Sequence, residues 1–253
     1  MVTGAASGIG RCTADLLRER GDRVIGVDLR GTEVLADLST GDGRRAAAEA
    51  VLARTGGTVD GVVTCAGLAG TDPRLVSVNY FGTTELLAHL RPALAAAPRP
   101  RAVAVSSVVV VHGCDEALVE ACLSGAEAEA LALAGRAVAE GRGRQLYPSS
   151  KAALARWVRR TCLAPGWADA GIPLNAVGPG VVLTPMAATA VTDERTRRAR
   201  DAAVPMPLNH HQPPESVAEV LAFLVSEANS HITGQLVYAD GGAEATLRGP
   251  LAY

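Results

Sequence analysis

Three glycines within the first ten residues constrain the fold of this chain more tightly than any later feature. Thr3-Gly4-Ala5-Ala6-Ser7-Gly8-Ile9-Gly10 spaces them as G-x-x-x-G-x-G, ahead of an amphipathic helical stretch from Arg11 to Arg20. A turn of this kind serves where a strand passes sharply into a helix whose first amides face a phosphate. Glycine-rich turns are common punctuation on their own. Here a strand pattern, Val24 to Asp28, follows the helix and ends in a carboxylate 18 residues after Gly10. An acid in that position accepts the hydroxyls of an adenosine ribose. It also repels a 2′-phosphate, so NAD is expected rather than NADP, despite Arg30 two residues on. Only three residues precede Gly4. The first strand is therefore expected either to be unusually short or to begin upstream of Met1.

Further strand-like segments run from Val59 to Cys65, Ala102 to Ser106, Pro173 to Val177 and Gln235 to Tyr238, with helical periodicity filling most of the gaps. Strands alternating with helices predict an α/β fold, a parallel sheet covered on both faces, as a single domain over 1–253. Two stretches break the pattern. Residues 112–144 are rich in Ala, Glu and Leu and read as a two-helix insertion. Asp115 is placed to cap its first helix, and Ser124 or Gly125 to start its second. The Leu and Ala residues of 117–139 read as core or subunit interface. Residues 185–214 carry Arg195, Arg197, Arg198 and Arg200 and end in a proline-rich MPLNHHQPP. Segments at this edge of such sheets usually carry substrate contacts, so 185–214 reads as a substrate flap. The arginine run itself reads as a solvated helix face rather than an anion site.

Composition narrows the classes. The chain has 253 residues, is 48% hydrophobic and carries a net charge of −2. No basic footprint for nucleic acid is present. No apolar run approaches the roughly 18 to 20 residues of a membrane span, and no secretory leader is expected ahead of the first motif. The five cysteines, Cys12, Cys65, Cys114, Cys122 and Cys162, are scattered without a C-x-x-C pair. Neither a disulfide framework nor a metal site is expected, and a cytoplasmic setting fits. His112 and the His210-His211 pair read as loop histidines, since nothing completes a ligand set.

One count is sharper. Of 24 basic residues, Lys151 is the sole lysine. In a chain that uses arginine wherever charge suffices, a retained lysine marks chemistry that needs a compact ammonium rather than a planar fork. It stands in Tyr147-Pro148-Ser149-Ser150-Lys151, at the start of a helical pattern. Residues four apart share a helical face, so Tyr147 and Lys151 are expected to point into one cleft. A phenol near its ordinary pKa of about 10 is a poor acid–base catalyst at neutral pH. A neighbouring ammonium and an oxidised nicotinamide would both draw that value down.

At this point the chain resembles the short-chain dehydrogenase/reductase family over essentially its whole length. TGAASGIG at 3–10, Asp28, the Cys65-Ala66-Gly67 run, Asn79, Ser106-Ser107, YPSSK at 147–151 and PGVVLT at 179–184 carry the resemblance. It implies a Rossmann-like doubly wound sheet of about seven strands in the order 3-2-1-4-5-6-7. It also implies that Tyr147 transfers the proton, that Lys151 holds the nicotinamide ribose, and that Ser107 hydrogen-bonds the reacting oxygen. Asn79 would position a water beside Lys151. Gly4, Ser7, Gly8, Ile9 and Gly10, then Asp28, Leu29, Asp37 and Leu38, would line the adenosine and pyrophosphate site. Cys65, Ala66 and Gly67, with Pro179, Gly180, Val182 and Thr184, would enclose the nicotinamide end. Two departures are visible. Thr64-Cys65 stands where the family usually has Asn-Asn, so Cys65 reads as a small packing residue. Ser107 and Tyr147 are 40 residues apart instead of a dozen or so, which 112–144 accounts for. VVTCAGL, SVNYFGTTELL, VIGVDLR and ADLST are similar to the 3α-hydroxysteroid dehydrogenase/carbonyl reductase branch of that family, NAD-dependent, oligomeric and with the same insertion.

The activity implied is hydride transfer between NAD(H) and a secondary alcohol or ketone, bulky or cyclic, by a homodimer or homotetramer. A ketoreductase tailoring a secondary metabolite is a narrower use of the same chemistry. A non-catalytic nucleotide-binding regulator is the alternative from another class, and the Asn79, Ser107, Tyr147, Lys151 set speaks against it.

Overall fold

Short Val- and Ala-rich runs bounded by Gly and Pro form the strands of a computed structural model that describes residues 1–189, 193–208 and 211–251. Among these residues one seven-stranded sheet forms from β1 (Val2–Thr3), β2 (Gly26–Asp28), β3 (Val34–Leu35), β4 (Gly61–Thr64), β5 (Arg101–Val105), β6 (Leu174–Pro179) and β7 (Leu236–Ala239). All pairs are parallel and the order is β3-β2-β1-β4-β5-β6-β7. Two-residue β1 is central and short, and Val2 is nevertheless fully buried between Gly26 and Val63.

The helices are α1 (Gly8–Glu19), α2 (Gly41–Thr55), α3 (Arg74–Val76), α4 (Gly82–Ala95), α5 (Glu116–Leu123), α6 (Glu127–Ala139) and α7 (Leu146–Thr161), followed by α8 (Pro185–Thr189), α9 (Glu194–Ala203), α10 (Pro214–Val225) and α11 (Ala243–Arg248). Side chains alternate across the sheet, so consecutive strand residues feed two different cores. Val62, Ala104 and Ala176 join the core under α2, α4 and α7, whereas Val63, Val103 and Val177 join the one under α1 and α10. Burial on both faces explains why the strands read as continuous apolar runs.

The insertion packs as part of the main core. Leu118 and Val119 of α5 and Ala130, Ala134 and Ala137 of α6 are buried in the cluster that contains α7. Asp115 caps α5, its Oδ1 accepting from the Leu118 amide at 3.2 Å. The expected start of the second helix is corrected: α6 begins at Glu127, not at Ser124 or Gly125. The Ser124 hydroxyl donates to the Ala121 carbonyl instead. Gly125, at φ 77°, lies past the end of α5 in the left-handed conformation that closes helices.

Two ties matter below. Arg44 of α2 is fully buried and reaches four segments at once. It donates to the carbonyls of Leu38, Ser39 and Ser77, to Glu85 of α4 at 3.0 Å, and to both carboxylate oxygens of Glu127 in α6 at 2.6 and 2.7 Å. The second tie closes the base of the 185–214 flap. Val182 bridges Gln212, with Leu183 N–H to Gln212 O at 2.9 Å and Gln212 N–H to Val181 O at 3.0 Å. The Gln212 side chain also donates to the Ala239 carbonyl at the end of β7, at 2.6 Å.

Candidate active site

Thr3, Asp28, Leu35, Thr64, Val105 and Pro179 all end strands on one edge of the sheet, the carboxyl edge where doubly wound folds bind ligands. Two connected cavities open there. The larger, about 410 Å³, begins at the β1–α1 turn. Gly4 takes φ 67°, and a Cβ on it would fall 2.9 Å from the Ala66 nitrogen. A Cβ on Gly10 would fall 2.2 Å from the Gly4 carbonyl oxygen. Only glycine permits both the turn and this approach. The helix starts at Gly8, three residues before Arg11, so Gly8 and Gly10 sit inside its first turn while Gly4 lies in the turn ahead of it.

That first turn is open. Ser7 makes no side-chain cap, and no acidic residue occupies the turn. Ser7, Gly8, Ile9 and Gly10 line the cavity, so α1 presents its positive end to it. Asp28 closes the far side, its carboxylate accepting from Ala6 N–H at 3.1 Å and Leu29 N–H at 2.7 Å. Leu29, Asp37 and Leu38 continue the wall, and Cys65, Ala66, Gly67 and Thr184 form the end nearest the second cavity. Unsatisfied helix amides at the centre and a carboxylate at the ribose end fit a dinucleotide with an unphosphorylated 2′-hydroxyl.

The second cavity, about 230 Å³, shares Ile9, Cys65, Gly67 and Thr184 with the first. Ser107, Tyr147, Lys151, Pro179, Gly180 and Val182 line it. α7 places Tyr147 and Lys151 on one face, with the ammonium 5.9 Å from the phenol ring centre. Ser106 fixes the helix by donating to the Lys151 carbonyl at 3.1 Å. Asn79 sits in a π turn, Ser77–Phe81, wholly buried. Its amide holds Leu68 through both backbone groups, at 2.8 and 3.0 Å, and donates to Ser150 Oγ at 3.1 Å. A Cβ on Gly67 would lie 3.1 Å from Asn79 Oδ1 and 3.7 Å from Lys151 Nζ, so this glycine lets the two side chains close in.

Electrostatics modify one expectation. Burial pushes the Tyr147 phenol above its ordinary pKa, opposed by the neighbouring Ser107 hydroxyl. The Lys151 ammonium is itself lowered to about 8 by burial, and it donates to the Val105 carbonyl at 2.8 Å. The protein's own groups therefore keep the phenol protonated at neutral pH; the lysine alone does not draw it down. Burial likewise pushes the Cys65 thiol up to about 12, which suits a packing residue and not a nucleophile.

Several lining residues carry no legible signal in the sequence. Arg74, Ser39 and Val78 line the first cavity, and Val109, Met186 and Val204 the second. Arg74, Ser39, Val78 and Val109 come from segments whose pattern reads only as helix or loop, whereas Met186 and Val204 fall in the 185–214 segment expected to carry substrate contacts. Arg200 does stand in a run singled out above, and it lines the second cavity rather than a solvated face. Among the described residues no group of three His, Cys, Asp or Glu is placed to hold a metal. His210 lies outside the described residues, and His211 is paired with Asp201 at 2.8 Å. No helix among the described residues is long and apolar enough to cross a membrane.

Residues 4–244 match the family model described as enoyl-(acyl carrier protein) reductase. The chain is 39% identical to 3-alpha-hydroxysteroid dehydrogenase/carbonyl reductase of Comamonas testosteroni, covering 98% of this chain and 97% of that one. It is 32% identical to cis-4-hydroxycyclohexanecarboxylate dehydrogenase of Sinomonas cyclohexanicum, over 97% of this chain and 96% of the relative. The crystal structure of 3-alpha-hydroxysteroid dehydrogenase from Pseudomonas sp. B-0831 complexed with NADH superimposes with a TM-score of 0.91 at 40% identity, covering 97% and 96% of the two chains. With the strand order, the glycine turn and the Tyr147–Lys151 pair already in place, the chain belongs to the short-chain dehydrogenase/reductase family.

Proposed function

We propose that this protein is an NAD-dependent oxidoreductase that interconverts a cyclic secondary alcohol and its ketone. The observation that carries the reading is the placement of Tyr147, Ser107 and Lys151 in one cavity that adjoins the dinucleotide cleft. The relatives' names, a hydroxysteroid dehydrogenase and a hydroxycyclohexanecarboxylate dehydrogenase, support a hydroxyl on a ring. The NADH bound in the solved relative supports the cofactor.

When bound, the nicotinamide supplies the hydride acceptor or donor. The chain's own groups do the rest. Tyr147 gives its phenolic proton to the carbonyl oxygen in reduction and takes it back in oxidation. Ser107 donates to the same oxygen and fixes its position. Lys151, dry and pinned beside the phenol, stabilises phenolate as that proton leaves and offers its remaining N–H groups to the cofactor ribose. Asn79 holds the Leu68 backbone against α7, keeping the floor under Lys151 rigid. Val105, Val108, Val181 and Val182 keep water from the reacting carbon.

The reading extends to association as a homodimer or homotetramer, checked by light scattering after size exclusion. It also extends to a cytoplasmic setting, supported by five free cysteines. The decisive experiment follows reduced-nicotinamide absorbance over a panel of cyclic alcohols with NAD and cyclic ketones with NADH. Turnover in both directions is expected. NADH binding without turnover of any member would favour a nucleotide-binding regulator.

A further inference from the structure

The arginines at the C-terminal end of the sheet divide sharply by environment. Arg195 is exposed. Arg197 lies between Glu194 at 2.7 Å and Asp201 at 3.1 Å, and Arg198 pairs with Glu194 at 2.9 Å, all on the solvent side of α9. Arg200 turns the other way. Its side chain is only 23% exposed, and it lines the cavity that holds Tyr147 and Ser107.

Its partners do not satisfy it. Its Nη2 lies 3.3 Å from His211 Nε2, but that nitrogen donates to Asp201 at 2.8 Å and cannot accept from the guanidinium at the same time. The buried Nε has no hydrogen-bond partner among the described residues; Asp201 Oδ1, at 3.5 Å, gives it an ion pair without a hydrogen bond. That carboxylate already serves His211 at 2.8 Å and Arg197 at 3.1 Å. A guanidinium carries five N–H donors, and the one on Nε is buried without a hydrogen-bond acceptor on a side chain that lines the cavity. The surrounding wall is apolar: Val105, Val108, Val181, Val204 and Met186. No Asp or Glu lines the cavity, and its other cation, Lys151, is held by the Val105 carbonyl. An under-satisfied cation in an apolar wall is costly unless a ligand completes it. The planar fork matches a carboxylate with two parallel hydrogen bonds.

We propose that Arg200 is a specificity-determining residue that selects ring alcohols and ketones bearing a carboxylate away from the reacting carbon. The proposal rests on the reading of this cavity as a secondary-alcohol site. Its oxidation reaction then yields a cyclic keto acid, with hydride passed to the nicotinamide and the hydroxyl proton to Tyr147 in its phenolate form, the form that the Lys151 ammonium and a bound oxidised nicotinamide would both favour.

The test compares kcat/KM with NAD for cis-4-hydroxycyclohexanecarboxylate and its methyl ester. Wild type is expected to favour the acid at least tenfold. Arg200→Gln should abolish that preference, with the loss falling on KM for the acid, and Arg200→Lys should keep part of it. Arg197→Gln, altered on the outer face, should retain the wild-type ratio. Calorimetric titration of cyclohexanecarboxylate into the NADH complexes of wild type and Arg200→Lys reads the same contact without turnover, which covers a poorly folded Arg200→Gln. Equal kcat/KM for acid and ester in wild type, or a preference that survives Arg200→Gln, overturns the proposal. Cyclohexanol and cyclohexanone separate the two levels. Their turnover without any acid preference removes Arg200's role alone, whereas NADH binding with no turnover of any alcohol or ketone removes the oxidoreductase reading and this assignment with it.

Discussion

At the scale of single residues, the chemistry is concentrated in two neighbours whose burial works in opposite senses on their charges. Tyr147 is held protonated and Lys151 is drawn toward neutrality, both by desolvation. Tyr147→Phe removes the proton relay, and kcat is expected to fall by about 10²- to 10⁴-fold. NADH affinity, measured by fluorescence titration, should change little. Lys151 also leaves a mark on stability. The folded chain releases its proton near 8, against 10.5 for the ordinary side chain. Between those values the unfolded chain binds the extra proton, so the folded state gains stability as pH rises, by up to about 3 kcal/mol. Denaturant unfolding of wild type and Lys151→Met across this range checks the sign. The difference between them should shift in favour of wild type with rising pH; a flat difference would mark the lysine as ordinary. The lysine's place beside Tyr147 is legible in the sequence because helical spacing alone sets it. Its effect on the phenol is not, because that depends on how deeply the pair is buried.

At the scale of elements, the insertion is joined to the cofactor site through Arg44. One guanidinium ties α6 to the Leu38–Ser39 wall of the first cavity and to Ser77, where the turn carrying Asn79 begins. Removing one member of a buried ion pair strands its partners, and about 3 kcal/mol is expected here because Glu85 and Glu127 keep some contact with water. Arg44→Met should therefore lower the melting temperature by roughly 6–12 °C and weaken NADH binding. A loss of stability with unchanged NADH affinity would confine Arg44 to the core. The two insertion helices and the cap at Asp115 follow from composition and local chemistry, which act over three or four residues. Neither the two-residue β3 nor the exact start of α6 has such a signal. β3 exists because β2 offers it an edge, and α6 starts where the turn at Gly125 releases the chain. Arg44 reads as one more helical arginine, since its partners lie 41 and 83 residues away.

At the scale of the whole molecule, the parallel sheet gathers every candidate residue to one edge from segments spread between Gly4 and Thr184. A ligand bound there holds many elements together, so NADH at a hundredfold its Kd should add about 2.7 kcal/mol and raise the melting temperature by roughly 5–10 °C. NADPH should do much less, and Asp28→Ala should narrow the gap. Equal shifts for the two cofactors in wild type would take the choice away from Asp28. Alternating elements make the parallel sheet legible, whereas its strand order follows only from the resemblance to the family. The identity of the cavity walls was not, because those residues meet only once the sheet has formed. The bridge between Val182 and Gln212 gives this assembly a further property. It brings the two ends of the intervening segment together on the frame of the sheet, so the entropy of closing that loop is met by the frame itself and rises only slowly with loop length. The stretch between them behaves as an exchangeable cartridge: its length and sequence can diverge between lineages, or be swapped by an engineer, while the hydride-transfer machinery stays in register.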